Sequence, residues 1–321
     1  MMNEIVIENK KIGAAHPPLI VAELSANHLQ SLERAFKLIR AASEAGAHAI
    51  KLQTYTPDTM TLNIRKKDFF IEDPLSLWKG KYLYDLYQQA FTPWEWHKPL
   101  FDLCKELGLI AFSTAYDFSS VDFLETFNVP AYKIASFENI DLPLIQKVAQ
   151  TQKPLIISTG MATEPEITEA VTTARQAGCT KLILLKCTSI YPAAPSETNV
   201  LTIPYLKEKF DCPVGFSDHS EGIGASLAAI AHGAVMIERH LTLSRQDGGV
   251  DSAFSLEPLE FKELITESQR CYEALGNISL QPTEREKNSL RFRRSLYITQ
   301  ALKKGTILNT DHIAYLYVDN T

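Results

Sequence analysis

"PVGFSDHSEGIGASLAAIAHGAVMIERHLTL", residues 213–243, contains one full turn of the pattern that decides the fold. A short apolar run (Val214 to Phe216) breaks into the polar end Ser217, Asp218, His219, Ser220. An alanine-rich stretch with helical spacing follows and stops at Gly233. A second apolar run then ends in Glu238, Arg239 and His240. Glycine tolerates the left-handed backbone that closes a helix, so the segment reads as strand, helix, stop, strand. The two histidines hold equivalent places, each at the polar end of a strand.

Working outward, the same short runs rich in Val, Ile and Leu recur: "LIVAELS", "AIKLQT", "LIAFST", "AYKIAS", "PLIIST", "KLILLKCT", "PVGFSD" and "VMIERH". Helical spacing fills most of the intervals, and Gly46, Gly108, Gly178 and Gly233 punctuate them. Eight such units predict a (β/α)8 TIM barrel, a fold of about 250 residues. An open doubly wound sheet is the alternative, but it would more often carry a glycine-rich phosphate loop after its first strand, where this chain has "AELSANH". Every strand end is polar: Glu23 and Ser25, Lys51 and Gln53, Ser113 and Thr114, Lys133 and Ser136, Ser158 and Thr159, Lys186 and Thr188, Ser217 and His219, Glu238 and His240. A barrel gathers those ends at one mouth, which brings the two histidines to one pocket.

The chain has 321 residues, 45% of them hydrophobic, enough to bury a large core. A net charge of −6 without a run of Lys and Arg points away from nucleic acid and membrane and towards a small-molecule partner. Five scattered cysteines with no C-x-x-C pair suggest neither a zinc knot nor a disulfide framework, and with no apolar leader or span the expectation is a cytoplasmic protein. Residues 56–92 form a long, aromatic connection after the second strand, expected to serve as a lid. The barrel is expected to occupy 1–276, followed by a linker over 277–292 and a small unit over 293–321.

The succession "AELSANH", "KLQTYTPD", "YKIASFE", "STGMA", "LLKCTSIYP", "GFSDHS" and "IERHLTL" resembles that of the sialic-acid synthase family, whose members condense phosphoenolpyruvate with an N-acetylated amino sugar to nine-carbon 2-keto sugar acids. "AELSANH", "IKLQTYTPD" and "FSLEPLEF" are most similar to the pseudaminic acid synthases of that family, with N-acetylneuraminate and legionaminate synthases as alternatives. The tail resembles the start of the family's C-terminal antifreeze-like (SAF) β-clip domain and stops before its Arg-Pro stretch, so an incomplete SAF segment is expected. A homodimer is expected where that domain is complete.

The resemblance implies a set of roles. His219 and His240 are the metal-binding pair; neutral imidazoles with open positions for water or substrate suit Mn²⁺, with Mg²⁺ or Co²⁺ as alternatives. Lys51, Thr114, Lys133, Ser136, Ser158, Ser189 and Ser217 correspond to positions that hold phosphoenolpyruvate, Ser189 standing where sialic-acid synthases commonly have Asn. Glu23, Gln53, Tyr191 and Asp251 correspond to acceptor-sugar contacts. Glu23, Glu138 and Lys51 are the catalytic candidates, with the division between acid and base left open because environment decides it. Cys187 reads as a small apolar filler, since spacing pairs no base with it. Two other classes compete: a Schiff-base aldolase working through Lys186, and a non-catalytic barrel.

Overall fold

The structure, a computed structural model, describes residues 4–319; the extreme ends of the expected segments, 1–3 and 320–321, lie outside the described residues. The chain divides into two compact units, Met1–Leu275 and Gly276–Thr321. A short antiparallel hairpin, β1 (Ile5–Ile7) and β2 (Lys10–Ile12), precedes eight parallel strands: β3 (Leu19–Glu23), β4 (Ala49–Thr54), β5 (Ile110–Ala115), β6 (Tyr132–Ile134), β7 (Leu155–Ser158), β8 (Leu182–Cys187), β9 (Val214–Asp218) and β10 (Met236–His240). They pair in chain order, and β10 closes on β3, giving the expected (β/α)8 barrel.

Period two explains how each strand is used. One parity points into the barrel: Val21, Ala49, Phe112, Ile156, Leu185 and Met236 pack there with Ile5, Ile7 and Ile12 of the hairpin, which therefore plugs the N-terminal end. The other parity faces the helices, where Ile20, Ile50, Ile134, Leu184, Phe216 and Ile237 join the larger core. Gly215 is needed on the inward face, because a Cβ there would lie 2.5 Å from the Met236 carbonyl oxygen and 2.6 Å from Leu185 Cδ2. Helix ends follow the expected signals: the helix Leu32–Ala45 starts at Ser31, whose side chain accepts from Arg34 N, and stops at Gly46, whose φ is +96°.

Further along the same inward parity, apolar side chains give way to Glu23, Lys51, Gln53, Lys133, Ser158, Ser217, Glu238 and His240. The mouth is therefore polar by sequence register alone. The long connection contributes a short helix, Pro57–Met60, and a second one, Leu83–Ala90. In the second unit, β11 (Arg294–Ile298) pairs antiparallel with β12 (Ile313–Tyr317). Among the described residues no helix is long and apolar enough to cross a membrane.

Candidate active site at the barrel mouth

A cavity of about 360 Å³ opens at the C-terminal ends of the strands, a size suited to a small substrate. Its lining includes Lys51, Gln53, Lys133, Ser136, Glu138, Ser158, Tyr191, Ser217, His219, His240 and Asp251. Three other candidates stand behind that lining: Glu23 and Thr114 are fully buried, and Ser189 is half-buried with its Oγ 3.8 Å from Cys187 Sγ.

The charged floor is built by β3, β4, β6 and β10. Lys51 Nζ contacts the Glu23 carboxylate, donates to Thr114 Oγ1 at 3.0 Å and lies 3.6 Å from Glu238 Oε1. Burial alone would lower the Lys51 pKa, but Glu23 and Glu238 outweigh it and raise it, so the ammonium stays charged. Burial raises Glu23, whereas for Glu238 the upward push of burial is outweighed by Lys51 and Lys133. Of the two carboxyls sharing Lys51, Glu23 is thus the one with the raised pKa and Glu238 the one with the lowered pKa. Lys133 Nζ donates to Ser158 Oγ at 2.6 Å and to the Ile134 carbonyl at 3.0 Å, and burial lowers its pKa.

Beside Lys133 is a small polar cradle. Gly160 N donates to Ser136 Oγ at 3.1 Å, and a Cβ on Gly160 would sit 2.3 Å from Ser189 Oγ and 2.6 Å from Ser136 Oγ. Only glycine lets these hydroxyls close on the backbone next to a buried ammonium, an arrangement suited to a phosphate. Glu138 lines the same region; burial pushes its pKa up to about 7, and its Oε2 is buried with no hydrogen-bond partner among the described residues.

The two histidines come together as the strand pattern requires, with ring centroids 5.3 Å apart. His219 Nδ1 is 3.0 Å from the Thr188 carbonyl, so it donates there and leaves the Nε2 lone pair free. His240 Nδ1 is buried without a hydrogen-bond partner among the described residues. These nitrogens fit a divalent cation. Among the described residues no group of three or more His, Cys, Asp or Glu side chains is arranged to hold a metal, so a cation here would take its remaining ligands from water or substrate.

Several lining residues carry no role from sequence reasoning. Glu238 shares the inward parity of His240, and period two was the signal available for it. Cys187 also lines the cavity, with its Sγ 3.9 Å from His219 Nδ1, the nitrogen whose hydrogen is already donated to the Thr188 carbonyl. Burial would raise the thiol, but His219 and Lys133 outweigh it and bring it to about 7. Much of the remainder is an apolar and aromatic wall: Met60, Ile71, Trp78, Leu83, Leu86 and Tyr87 come from the long connection, and Tyr55, Tyr116, Val250 and Phe254 join them. Trp78 Nε1 donates to the Val250 carbonyl at 2.8 Å, and its ring lies 5.7 Å from that of Tyr191, which in turn is 4.5 Å from His219. Asp251 accepts from Ser25 Oγ, to which Gln53 Nε2 also donates at 3.1 Å.

Lys186 falls on the outward parity. Its Nζ donates to Thr188 Oγ1 and the Cys187 carbonyl and does not line the cavity, which removes the basis for an aldolase reading.

A profile described as the NeuB family matches residues 38–279. The chain is 44% identical over 294 residues to a pseudaminic acid synthase of Campylobacter jejuni, covering 92% of this chain and 85% of that one. It is 42% identical to a pseudaminic acid synthase of Helicobacter pylori, covering 94% and 88%. Among solved structures, N-acetylneuraminic acid (sialic acid) synthetase from Leptospira borgpetersenii superposes with a TM-score of 0.81 at 32% identity, covering 91% of this chain and 97% of that one.

Proposed function

The chain belongs to the NeuB family, and we propose that it is a pseudaminic acid synthase. It condenses phosphoenolpyruvate, water and an open-chain 2,4-diacetamido-2,4,6-trideoxy hexose to a nine-carbon 2-keto sugar acid and releases phosphate. Homologues of the family use phosphoenolpyruvate and an N-acetylated amino sugar and are generally metal-dependent. The observation that carries the proposal is a single cavity in which a lysine-and-hydroxyl cradle adjoins two unsaturated histidines and an apolar wall. The cradle suits a phosphate ester, and the wall suits the methyl groups of an acetamido deoxy sugar.

His219 and His240 hold a divalent cation, Mn²⁺ in this reading, which when bound supplies Lewis-acid polarisation of a carbonyl. Lys133, Ser158, Ser136 and Ser217 bind the phosphate of phosphoenolpyruvate, with Ser189 at the edge of the cradle. Lys51, steadied by Glu23, Glu238 and Thr114, faces its carboxylate and bridging oxygen. Gln53, Tyr191 and Asp251 orient the acceptor so that its aldehyde carbon meets C3 of phosphoenolpyruvate, and the wall excludes bulk water. As the C–C bond forms, the aldehyde C=O electron pair passes to its oxygen, which takes up a proton to become a hydroxyl, and positive character appears at C2, where water adds. The tetrahedral intermediate then loses its hydroxyl proton to form the 2-keto group and expels phosphate by C–O cleavage. Glu138 is assigned as the base that receives a proton from that water, its unpartnered Oε2 being the free acceptor.

The test is to incubate the protein with phosphoenolpyruvate, Mn²⁺ and a panel of acetamido sugars, measuring phosphate release and product mass. The diacetamido trideoxy hexose is expected to give the highest kcat/KM. A higher value for N-acetylmannosamine would move the assignment to sialate synthesis.

A further inference from the structure

Asp218 and Arg239 immediately precede the two site histidines, His219 and His240, in sequence. They are register partners across β9 and β10, and no rung pairs these two strands beyond them. Both lie on the outward parity, away from the cavity, with only 1% of their surface exposed. Arg239 NH1 is 2.8 Å from Asp218 Oδ2. The rest of the Asp218 carboxylate is also committed: Oδ1 accepts from Ser220 N at 2.8 Å and Ser220 Oγ at 2.7 Å, and Oδ2 accepts from Ser226 Oγ at 2.6 Å. One carboxylate thereby ties together β10, the turn after His219 and the helix Gly224–Ala231.

Towards the middle of the strands this parity is apolar, as at Ile20, Leu184 and Phe216, and Lys186, the other charged residue on it, donates to Thr188 and the Cys187 carbonyl rather than to a carboxylate. A buried ion pair is a weak source of stability compared with hydrophobic packing, so its presence at this one rung calls for another explanation. His240 is the last residue of β10, while His219 lies just past the end of β9, where no ladder bond to β10 fixes it. A cation site with only two protein ligands has no spare ligand to compensate for a displaced one.

We propose that the Asp218–Arg239 pair is a positioning device that locks the last rung between β9 and β10 and thereby sets His219 against His240 for cation binding. The proposal rests on the reading of the two histidines as cation ligands. It assigns the pair no contact with substrate.

The test uses the full chain freed of metal, titrated with Mn²⁺ alone and followed by the electron paramagnetic resonance signal of free Mn²⁺. Thermal stability and phosphoenolpyruvate binding without metal are measured in parallel. Asp218→Asn and Arg239→Met each leave one buried partner uncompensated and should lower the Tm. The double variant removes both charges and should recover most of that loss, yet bind Mn²⁺ at least tenfold more weakly, with the dissociation constant for phosphoenolpyruvate within twofold of wild type. Ser226→Ala, which removes one hydrogen bond to Asp218 and no charge, should weaken Mn²⁺ binding severalfold in a folded protein. Recovery of wild-type Mn²⁺ affinity together with Tm in the double variant would overturn the proposal, as would unchanged affinity in Ser226→Ala if the double variant does not fold. Absence of saturable Mn²⁺ binding in the wild type would instead sink the ligand reading on which it rests.

Discussion

The imidazoles of His219 and His240 meet edge to face at 64°, brought from two neighbouring strands, and the Thr188 carbonyl fixes the first of them through Nδ1. With two protein ligands and no third, either alanine variant should lose metal-dependent turnover, and added metal at ordinary concentrations should not restore it. Chelation of the wild type should abolish phosphate release and Mn²⁺ should bring it back. Full activity of either variant in the presence of a chelator would rule the assignment out.

Lys133 is the buried ammonium beside the serine cradle. Removing a charge-assisted hydrogen bond costs about 1.5–3 kcal/mol, so Lys133→Ala should raise the KM for phosphoenolpyruvate roughly ten- to a hundredfold and leave that for the sugar nearly unchanged. Steady-state kinetics with each substrate varied in turn will separate the two, and equal effects on both would make the lysine structural.

Glu138 has a folded-state pKa of about 7 against an ordinary 4.5, because burial disfavours its charge. Below about pH 7 it is protonated and cannot accept a proton, so kcat/KM should fall on the acid side with a limb near 7, and the residual activity of Glu138→Gln should lack that limb. Linkage gives a second, independent readout. A raised folded pKa means the folded state holds the proton more tightly than the unfolded one, so this residue's contribution to stability is full below pH 4.5 and declines as pH rises to about 7. The Tm of Glu138→Gln relative to wild type should therefore be higher at pH 7.5 than at pH 4.5; a constant difference would contradict the burial argument.

Trp78 ties the long connection to the Val250 carbonyl and stands against Tyr191. Aromatic packing of this kind contributes about 0.5–1.5 kcal/mol, so Trp78→Ala should raise the sugar KM roughly two- to tenfold with phosphoenolpyruvate affinity intact. An unchanged sugar KM would place the connection outside acceptor binding.

The barrel was legible because short apolar runs, glycine stops and polar strand ends all repeat with one period, and the parity of each strand then decides which polar groups enter the mouth. That rule puts Lys51, Lys133, Ser217 and His240 in the cavity and sends Lys186 outward with Phe216. It was also enough to reach Glu238, but a carboxylate on a strand end carries no distinguishing pattern of its own. The apolar wall was not legible, since Met60, Ile71, Trp78 and Leu83 belong to a connection without period, and their convergence depends on the tertiary path of the loop. The contact of Cys187 with His219 is likewise invisible in sequence, because the two are close in space and 32 residues apart in the chain.

The most direct test of phosphoenolpyruvate-dependent condensation by C–O cleavage follows an isotope. Phosphoenolpyruvate labelled with ¹⁸O at the bridging oxygen is turned over with the diacetamido trideoxy hexose and Mn²⁺, and the phosphate and sugar acid are weighed by mass spectrometry. The expected result is one ¹⁸O in every released phosphate and a 2-keto oxygen derived from solvent. Label retained in the sugar acid, or phosphate released without a nine-carbon product, would contradict it.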